Sequence, residues 1–589
     1  MSDIDVPVLI VGGGGAGLTA SMLLSRLGVD SLLVNARPGT SGLPKAHVLN
    51  QRTMEIFRDL GIDRPVYAAG TPQQNMTHAG WYAGLAGTRP EYGRRFGIIE
   101  AFGAGGSTPE WVAASPQRPA NLPQIRLEPY LRERAEELAG ADRVRFGHEL
   151  TDFTQDADGV TATVRDHGSG ESYQVRALYL LGADGGCTVG PRLGIQAEGM
   201  RDVARMVTFH ISADLSRWAV DPHVLLRWLW LPETAGSGVL VPMGPDRWGP
   251  DSEEWVFHLN YAHEDERSLD DEKVLADMRS SLGIGDHPVD VHSVSRWNLE
   301  GVVAERFRQG RVFLVGDAAH RHPPTGGLGL NASVHDAHNI GWKLAAVLSG
   351  QADDGLLDTY EAERKPVSAH NVQRSLESAL NHMVTASLLG AGEAADSDAN
   401  WKKLRQMWGG GPDGALYRKD VQRSIASQSM EFNELNVEYG FTYDSAAVLP
   451  DGTEPPVNPD PVRIYQASAR PGHPLPHAWL ETPDGELLPV MDLVGPGRFL
   501  LIAGEDGHEW TEAAAKVAAT TGLPLDALRI GHLDGDYRDP RSTWTRLRGH
   551  SATGAVLVRP DRFIGWRTSQ AAADPEAELT AALSRLHGR

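Results

Sequence analysis

A glycine-rich segment directly follows the first apolar run of the chain. Residues 8–11 are typical of a buried parallel strand, and they lead into the pattern Gly12-x-Gly14-x-x-Gly17. Apolar residues at helical spacing come next and stop at Gly28, before a second apolar strand. In such a strand–helix–strand unit the glycines let a pyrophosphate approach the backbone, and the helix N-terminus stabilises its charge. The segment therefore predicts a dinucleotide site.

The residue expected to bind the ribose departs from the usual pattern. An acidic side chain about 20 positions after the glycines usually binds the ribose hydroxyls, but here the second strand ends in Asn35-Ala36-Arg37. An asparagine can donate and accept hydrogen bonds to a ribose. The alternative is that Asn35 only ends the strand. The cofactor contacts predicted in this unit are Gly12, Gly14, Gly15, Ala16, Gly17, Asn35, Ala36 and Arg37.

A second candidate segment lies about 300 residues further along the chain. The apolar run 311–315 precedes Gly316 and Asp317, and the glycine-rich stretch 323–331 then opens a helix. An aspartate at a strand end can bind the hydroxyls of a polyol, and a glycine-rich helix start presents N–H groups and a positive dipole end to an electron-rich carbonyl. The cofactor contacts predicted here are Asp317, Pro324, Gly327, Gly329, Leu330 and Asn331.

Together these segments resemble the FAD site of the flavin-dependent aromatic hydroxylases of the para-hydroxybenzoate hydroxylase type. Two further stretches support the resemblance: 179–186 is similar to the Asp-Gly motif that serves both FAD and NAD(P)H, and 124–131 is similar to the segment beside the flavin. The resemblance covers about residues 1–370 and adds Asp184 and Gln124 to the predicted cofactor contacts. After Gly185 the sequence departs from the family motif, so NADH and NADPH both stay open, with NADPH favoured.

Within this family, segment 44–55 is most similar to the same segment of the 2,4-dichlorophenol 6-monooxygenases and phenol hydroxylases. In phenol hydroxylases, the position of His47 holds a carboxylate that acts as a base. A phenol with a pKa near 10 is only about 0.1% ionised at pH 7, a cost of about 4 kcal/mol. We predict that His47 takes the phenol proton; the alternative is a polar residue that only orients the substrate. Lys45 is predicted near the pyrophosphate, with a solvated charge as the alternative.

The resemblance implies a reaction in which NAD(P)H reduces FAD and O2 forms a flavin C4a-hydroperoxide. One oxygen atom is then added to a phenol-like ring, ortho to its hydroxyl. One alternative is an epoxidase or Baeyer–Villiger monooxygenase that acts on a polycyclic substrate and needs no phenolate base. Another is a flavin-containing binding protein without turnover. The identity of the aromatic substrate stays open.

Short β-like runs between 200 and 290 predict an antiparallel sheet over the flavin. Within it, Trp228 and Trp230 share a face because they are two residues apart, and Trp228, His47 and Pro324 are the predicted substrate pocket. The predicted fold is mixed α/β (α+β), with a Rossmann-like FAD-binding domain and an inserted β-sheet substrate domain. The C-terminal part, which lacks a CxxC motif, resembles the thioredoxin-like domain of these hydroxylases. The predicted bounds are 1–75, 100–200 and 290–390 for the first, 76–99 and 201–289 for the second, 391–460 for a helical connector and 461–589 for the last.

Composition narrows the possible partners and compartments. The 589 residues carry 55 basic and 77 acidic side chains, a formal charge of −22, which repels nucleic acid and anionic membranes. No transmembrane run is expected. The single cysteine, Cys187, excludes an intramolecular disulfide or a CxxC motif and favours the cytoplasm. His320-x-His322 has no third ligand at suitable spacing, so no metal is predicted. A small aromatic substrate and a homo-oligomer of two or more copies are the expected partners.

Overall fold

The computed structural model describes residues 3–262, 265–391 and 396–589. These residues form two sheets of eight strands, one sheet of seven strands and one short two-stranded ladder. The mixed α/β fold predicted from the sequence is confirmed. Among the described residues, no helix combines the length and the apolar character that crossing a membrane requires.

The first sheet is the frame of the nucleotide-binding unit. Its central strand, Ile4–Val11, lies parallel to Ser31–Asn35 on one side and to Ser172–Gly182 on the other. Val312–Leu314 extends the sheet beyond Ser172–Gly182, also in parallel. Because the carboxyl ends of parallel strands meet at one edge, the segments after these strands come together there. The other strands are Val144–Phe146, His148–Gln155, Val160–Asp166 and Arg308–Gln309.

Helices cover this sheet, and its central strands are apolar along most of their length because they are buried on both faces. The helices of this part of the chain are Gly15–Arg26, Gln51–Leu60, Asp63–Ala69, Phe102–Gly106, Pro109–Ala114, Gln124–Ala139, Val189–Arg192, Leu328–Leu348 and Gly355–Leu389. The two-residue strands Val48–Leu49 and Ala120–Asn121 pair antiparallel nearby. Short 3-10 turns lie at Gln73–Asn75, Ala141–Arg143, Gly316–Ala318 and Thr325–Gly327.

The second sheet is the predicted substrate sheet, but it extends beyond the predicted ranges. Ala197–Ser212 pairs with Asp290–Ala304 along almost its whole length, and that strand pairs with His320–Arg321. The predicted boundary at 290 follows the last short β-like run, whereas the ladder continues past it. The other strands are His78–Ala83, Arg95–Glu100, Val224–Leu231, Gly236–Gly244 and Glu254–Tyr261. One pairing, His78–Ala83 with Val224–Leu231, is parallel, so the sheet is mixed rather than purely antiparallel.

One face of the second sheet is closed by helix Asp271–Leu282. Side chains of alternate strand positions, including Phe209, Leu240 and Phe257, form a buried cluster with Val274 and Met278 of that helix. The residues between them point to the opposite face, because successive side chains of a strand alternate. The opposite face therefore carries the other set of side chains, among them the two tryptophans of strand Val224–Leu231. Short 3-10 turns lie at Gly249–Asp251 and Glu266–Leu269.

The remaining described residues form the helical connector and the C-terminal domain. The connector prediction, 391–460, includes 392–395, which lie outside the described residues. Its described helices are Ser397–Arg405, Gln406–Trp408, Gly411–Ser427, Ser429–Phe432 and Leu435–Tyr439. The C-terminal strands are Trp479–Glu481, Leu487–Pro489, Phe499–Ala503, Leu525–Gly531, Tyr537–Arg538, Ala555–Val558 and Ile564–Thr568. The C-terminal helices are Val490–Leu493, His508–Thr521, Thr543–Leu547 and Pro575–Leu586.

A buried cluster of charged side chains joins the C-terminal domain to the first domain. The Arg559 guanidinium donates to both oxygens of Glu363 over 2.6 and 2.9 Å, and it also donates to Asp561. Lys343 Nζ donates to Glu363 over 2.7 Å. The side chains of all four residues are at most 1% exposed. Burial lowers the pKa of Lys343 to about 8, although Glu363 favours its charged form.

Candidate active site

The first glycine-rich segment makes contacts that only glycine allows. Gly12 has a φ of +116°, and a Cβ atom there would lie 2.1 Å from the carbonyl oxygen of Ala183. A Cβ atom on Gly17 would lie 1.9 Å from the carbonyl oxygen of Gly12. By contrast, the nearest atom to a Cβ on Gly14 would be Glu128 Oε1, at 3.6 Å. Protein atoms therefore fill the space beside Gly12 and Gly17, whereas the backbone at Gly14 stays accessible to a ligand.

The second glycine-rich segment packs directly on the first. A Cβ atom on Gly15 would lie 2.6 Å from Leu330 Cδ1, and a Cβ on Gly316 would lie 3.0 Å from that of Ala16. Gly327 precedes helix Leu328–Leu348, so the predicted contacts Gly329, Leu330 and Asn331 fall in its first turn. The two segments, about 300 residues apart in the chain, therefore form one continuous cradle.

Both helix N-termini at this cradle offer free N–H groups. No described side chain caps helix Gly15–Arg26 or helix Leu328–Leu348, and neither first turn carries an acidic residue. The first N–H groups of a helix have no partner within the helix and bind anions readily. Two uncapped helix starts, and a backbone whose close approach Cβ atoms would block, fit the pyrophosphate of FAD and a carbonyl oxygen of its ring.

At the end of the second strand, the side chain of Asn35 stabilises the glycine-rich loop, and no acidic side chain among residues 35–37 is available there for a ribose. Asn35 Oδ1 accepts a hydrogen bond from the N–H of Gly13 over 3.1 Å, and its Nδ2 donates to the carbonyl oxygen of Arg37. Ala36 and Arg37 are exposed beside it. Lys45 is exposed as well, with a φ of +48°. Contacts of these residues with a ribose or pyrophosphate stay predictions.

Two predicted cofactor contacts use their side chains to hold backbone in place. The carboxylate of Asp184 accepts from the N–H groups of Gly186, Thr188 and Val189 over 2.6–3.1 Å and so fixes the start of a short helix. Asn331 Nδ2 donates to the carbonyl oxygens of Val48 and Gly327, and Asn331 Oδ1 accepts from the N–H of Asn50. These side chains are therefore already bonded within the protein. Gln124 behaves in the same way, because its Nε2 donates to Glu128.

Asp336, which the sequence analysis did not single out, fixes the loop that carries Asp317. Asp336 Oδ2 accepts from the N–H of Gly316 over 3.0 Å and from His320 Nε2 over 2.7 Å, and Oδ1 accepts from Arg364. Burial opposes ionisation, but His320 and Arg364 hold the pKa of Asp336 well below its usual range. Asp336 is the single acidic residue of helix Leu328–Leu348, and this was the only sequence signal for its role.

Asp317 is exposed at the carboxyl end of its strand, as a contact with a polyol requires. We expect Asp317→Ala to weaken FAD binding by at least tenfold, because a hydrogen bond to a charged group contributes about 1.5–3 kcal/mol. Equilibrium titration followed by flavin fluorescence measures the Kd. Asp358→Ala, which removes another largely exposed carboxylate outside the cradle, is the control. Equal Kd values for the two variants would remove Asp317 from the cofactor site.

His47 is held by a partner from the neighbouring two-residue strand. Its Nδ1 lies 2.5 Å from Asn121 Oδ1, and Asn121 Nδ2 donates to Thr71 Oγ1 over 2.7 Å. With the amide oriented in this way, the Nδ1 of His47 carries the proton and its Nε2 carries the lone pair. Burial lowers the pKa of His47 below its usual 6.5, against the opposing effect of Asn121. The imidazole is therefore neutral at pH 7, the form that can accept a proton.

A row of side chains crosses the second sheet and ends close to His47. Trp81 pairs in register with Trp228, Trp228 with Val239, Val239 with His258, and His258 with Thr208. Residues opposite each other on paired strands point to the same face. We call this set, Trp81, Trp228, Val239, His258 and Thr208, the aromatic row. It lies on the face that helix Asp271–Leu282 leaves free.

The His258 end of the aromatic row borders the predicted base. Burial and, to a smaller extent, the nearby His47 lower the pKa of His258 to about 3. Thr208 Oγ1 bonds His258 Nδ1 over 2.8 Å and accepts from Trp297 Nε1. The alternation of polar and apolar residues around 254–261 was the signal that could have identified His258.

Val48 connects the predicted base to the cradle. The residue follows His47, and its Cβ would lie 3.4 Å from a Cβ on Gly327. Val48 also packs against the cluster that contains Trp81 and Trp228, so His47 and Trp228 lie on the same side of the second sheet. We call the space between the aromatic row and the cradle the chamber. Pro324 is exposed at the start of the turn that leads to Gly327. As predicted, Trp228 and Trp230 share a face, since both pack in the cluster that contains Trp81.

One group of metal-ligand side chains occurs in the described part of the chain: His210, Glu254 and His292. Glu254 Oε2 lies 2.6 Å from His210 Nε2 and 2.6 Å from the Arg126 guanidinium. A cation on the same oxygen disfavours metal binding there. His320, of the His320-x-His322 pair, is instead bonded to Asp336.

Comparison with known proteins agrees with this geometry. The family model for the FAD binding domain matches residues 5–375, and that for the C-terminal domain of aromatic-ring hydroxylases matches residues 468–589. The 2,4-dichlorophenol 6-monooxygenase of Cupriavidus pinatubonensis is 35% identical over 100% of this chain and 97% of its own. The phenol 2-monooxygenase of Pseudomonas sp. strain EST1001 is 34% identical over 99% of this chain and 93% of its own.

A solved structure is similar over the full length. The crystal structure of the flavin-dependent monooxygenase PieE, in complex with FAD and substrate, superposes with a TM-score of 0.91 at 40% identity and covers 100% of both chains. Its bound FAD agrees with the fit of the cradle to that cofactor. The chain therefore belongs to the family of FAD-dependent aromatic-ring hydroxylases and is an NAD(P)H- and O2-using monooxygenase.

Proposed function

We propose that the protein hydroxylates a phenol-like ring at the carbon ortho to its hydroxyl group. The observation that carries this proposal is the pairing of His47 with Asn121, which leaves a neutral, half-buried imidazole with its Nε2 lone pair free beside the aromatic row. A base in this position is needed for a phenol, whereas an epoxidation or a Baeyer–Villiger insertion needs none. The names of the relatives that act on 2,4-dichlorophenol and phenol support the same substrate class.

The cradle and the aromatic row have separate roles in this reaction. The cradle would hold FAD through the N–H groups after Gly14 and Gly327, with Asp317 toward its polyol, and FAD supplies the chemistry that activates O2. His47 Nε2 takes the proton of the substrate hydroxyl, while Nδ1–H stays bonded to Asn121. The resulting phenolate is the electron-rich form of the ring. Trp228 packs against that ring, and the buried side chains around it exclude water.

The test is a turnover assay on FAD-loaded protein with 2,4-dichlorophenol and, as a matched control, 2,4-dichloroanisole. We expect the phenol to stimulate NAD(P)H oxidation and to gain one oxygen atom, measured by mass spectrometry. The methyl ether has no proton for His47 to remove, so we expect it to remain unchanged. Equal conversion of the two compounds would contradict the proposal and favour an activity without a phenolate.

NADPH as the preferred donor, a cytoplasmic location and a homo-oligomeric assembly belong to the same proposal. The single cysteine, Cys187, supports a reducing compartment. Assays with each nicotinamide cofactor and light scattering of the purified protein test the donor and the assembly.

A further inference from the structure

A chain of contacts connects the cofactor cradle to the aromatic row. The N–H of Gly326 donates to Glu431 Oε1 over 3.3 Å, and Glu431 Oε2 lies 2.6 Å from His382 Nε2. The His382 imidazole stacks on the indole of Trp228, with ring centroids 3.7 Å apart and planes inclined by 16°. A single carboxylate thus joins the turn before the second glycine-rich helix to the wall of the chamber.

His382 and Glu431, the two middle residues of this chain of contacts, are buried and depend on each other. The side chains of His382 and Glu431 are 10% and 5% exposed. A buried polar group that loses its partner is destabilising, so each holds the other in one position. His382 also presents one face of its ring to Trp228, and movement of the indole therefore disturbs the bond to Glu431.

The indole of Trp228 has an unused hydrogen-bond donor. Its Nε1–H is buried, and no group in the described part of the chain accepts a bond from it. Buried donors are nearly always paired in folded proteins. An oxygen of a bound aromatic ligand would supply the acceptor, which places such a ligand in contact with the end of the chain of contacts.

We propose that Glu431 and His382 are positioning residues that couple aromatic-ligand binding at Trp228 to cofactor binding at the turn of Gly326. The inference rests on the proposed function, because it takes the chamber as the substrate site. A ligand that orders Trp228 also orders His382 and Glu431, so the turn of Gly326 loses less conformational freedom when the cofactor binds. The coupling is reciprocal: each ligand tightens the other by the same factor.

Equilibrium binding to the full-length chain tests this proposal without turnover. The Kd of FAD is measured by flavin fluorescence with and without saturating 2,4-dichlorophenol, and the Kd of the phenol by tryptophan fluorescence with and without FAD. In the wild type we expect each ligand to tighten the other by about fivefold or more. The factor by which one ligand tightens the other should fall to about one in His382→Phe, which keeps an aromatic ring against Trp228, and in Glu431→Ala. Each ligand alone should still bind to both variants.

Glu377→Gln is the matched control, because it breaks an ion pair with Arg374 on the same helix through a glutamate that is 47% exposed. We expect it to keep the wild-type coupling factor.

Two results would overturn the inference. One is the same coupling factor in the wild type, His382→Phe and Glu431→Ala, and the other is a factor of one in the wild type. If these results accompany normal hydroxylation of 2,4-dichlorophenol, the proposed function stands and only the coupling fails. Failure of the wild type to bind the phenol counts against both. If His382→Phe does not fold, the coupling factor of Glu431→Ala alone tests the proposal.

Discussion

Replacement of His47 by alanine is expected to lower kcat for phenol hydroxylation by about 10²- to 10⁴-fold, the usual contribution of a general base. FAD binding should persist, because the imidazole bonds Asn121 and lies beside His258, not within the glycine cradle. Stopped-flow hydroxylation rates and flavin titration measure the two properties separately. His223→Ala, which removes an exposed histidine bonded to the carbonyl oxygen of Gln74, is the control. Unchanged kcat in His47→Ala at neutral pH would remove this residue from the mechanism.

The pH dependence of kcat/KM gives a second measure of the same role. His47 acts in its neutral form, so the rate falls as the pH drops through its pKa. Because burial lowers that pKa, we expect the acidic limb of the wild-type profile to lie below pH 6.5. Asn121→Asp places a carboxylate against Nδ1 and stabilises the imidazolium, so the limb should move to higher pH. A limb at the same pH in both proteins would show that another group controls it.

Glu363→Gln is expected to destabilise the protein by about 3–5 kcal/mol, the usual effect of breaking a buried ion pair. The carboxylate accepts bonds from Arg559, Lys343, Asn339 and Ser445. Its removal leaves the Arg559 and Lys343 cations in a protein interior with less compensation. The shift of the urea unfolding midpoint measures the effect. The loss should appear above pH 4.5, because the buried cations lower the pKa of Glu363 and its contribution disappears only as the carboxylate protonates.

Asp420→Asn is the control for that experiment. Asp420 forms a 3.7 Å ion pair with Arg423 that is largely exposed, and such pairs contribute about 0–1 kcal/mol. If Glu363→Gln shifts the midpoint no more than Asp420→Asn does, the buried cluster does not hold the C-terminal domain to the first domain.

The elements predictable from the sequence are those encoded in continuous segments. The glycine spacing at Gly12–Gly17 and the strands on either side of it follow from local patterns, and the structure has them where they were expected. The shared face of Trp228 and Trp230 follows from the two-residue period of a strand. Local patterns failed at the sheet boundary, because whether residues after 290 continue a ladder depends on the partner strand, Ala197–Ser212.

The residues that sequence reasoning missed are brought in by contacts between distant segments. Asn121 reaches His47 through a ladder of only two residue pairs, which is too short to show any periodicity. His258 and Thr208 meet through strand pairing, and Asp336 reaches Gly316 across a helix–loop contact. Each is an ordinary polar residue in its own segment. A role of this kind becomes visible only when the partner of each polar group is known.

The registration of Trp81, Trp228 and Val239 on adjacent strands has a consequence for how members of such a fold diverge. Single substitutions at these positions would reshape the chamber one side chain at a time, because these neighbours in space belong to three separate strands. Changes at Trp81 and Val239 would leave the glycine-rich segments of the cradle unaltered, whereas Trp228 is joined to them through His382 and Glu431. Selection can thus diversify the accepted molecules while the reaction itself is inherited unaltered.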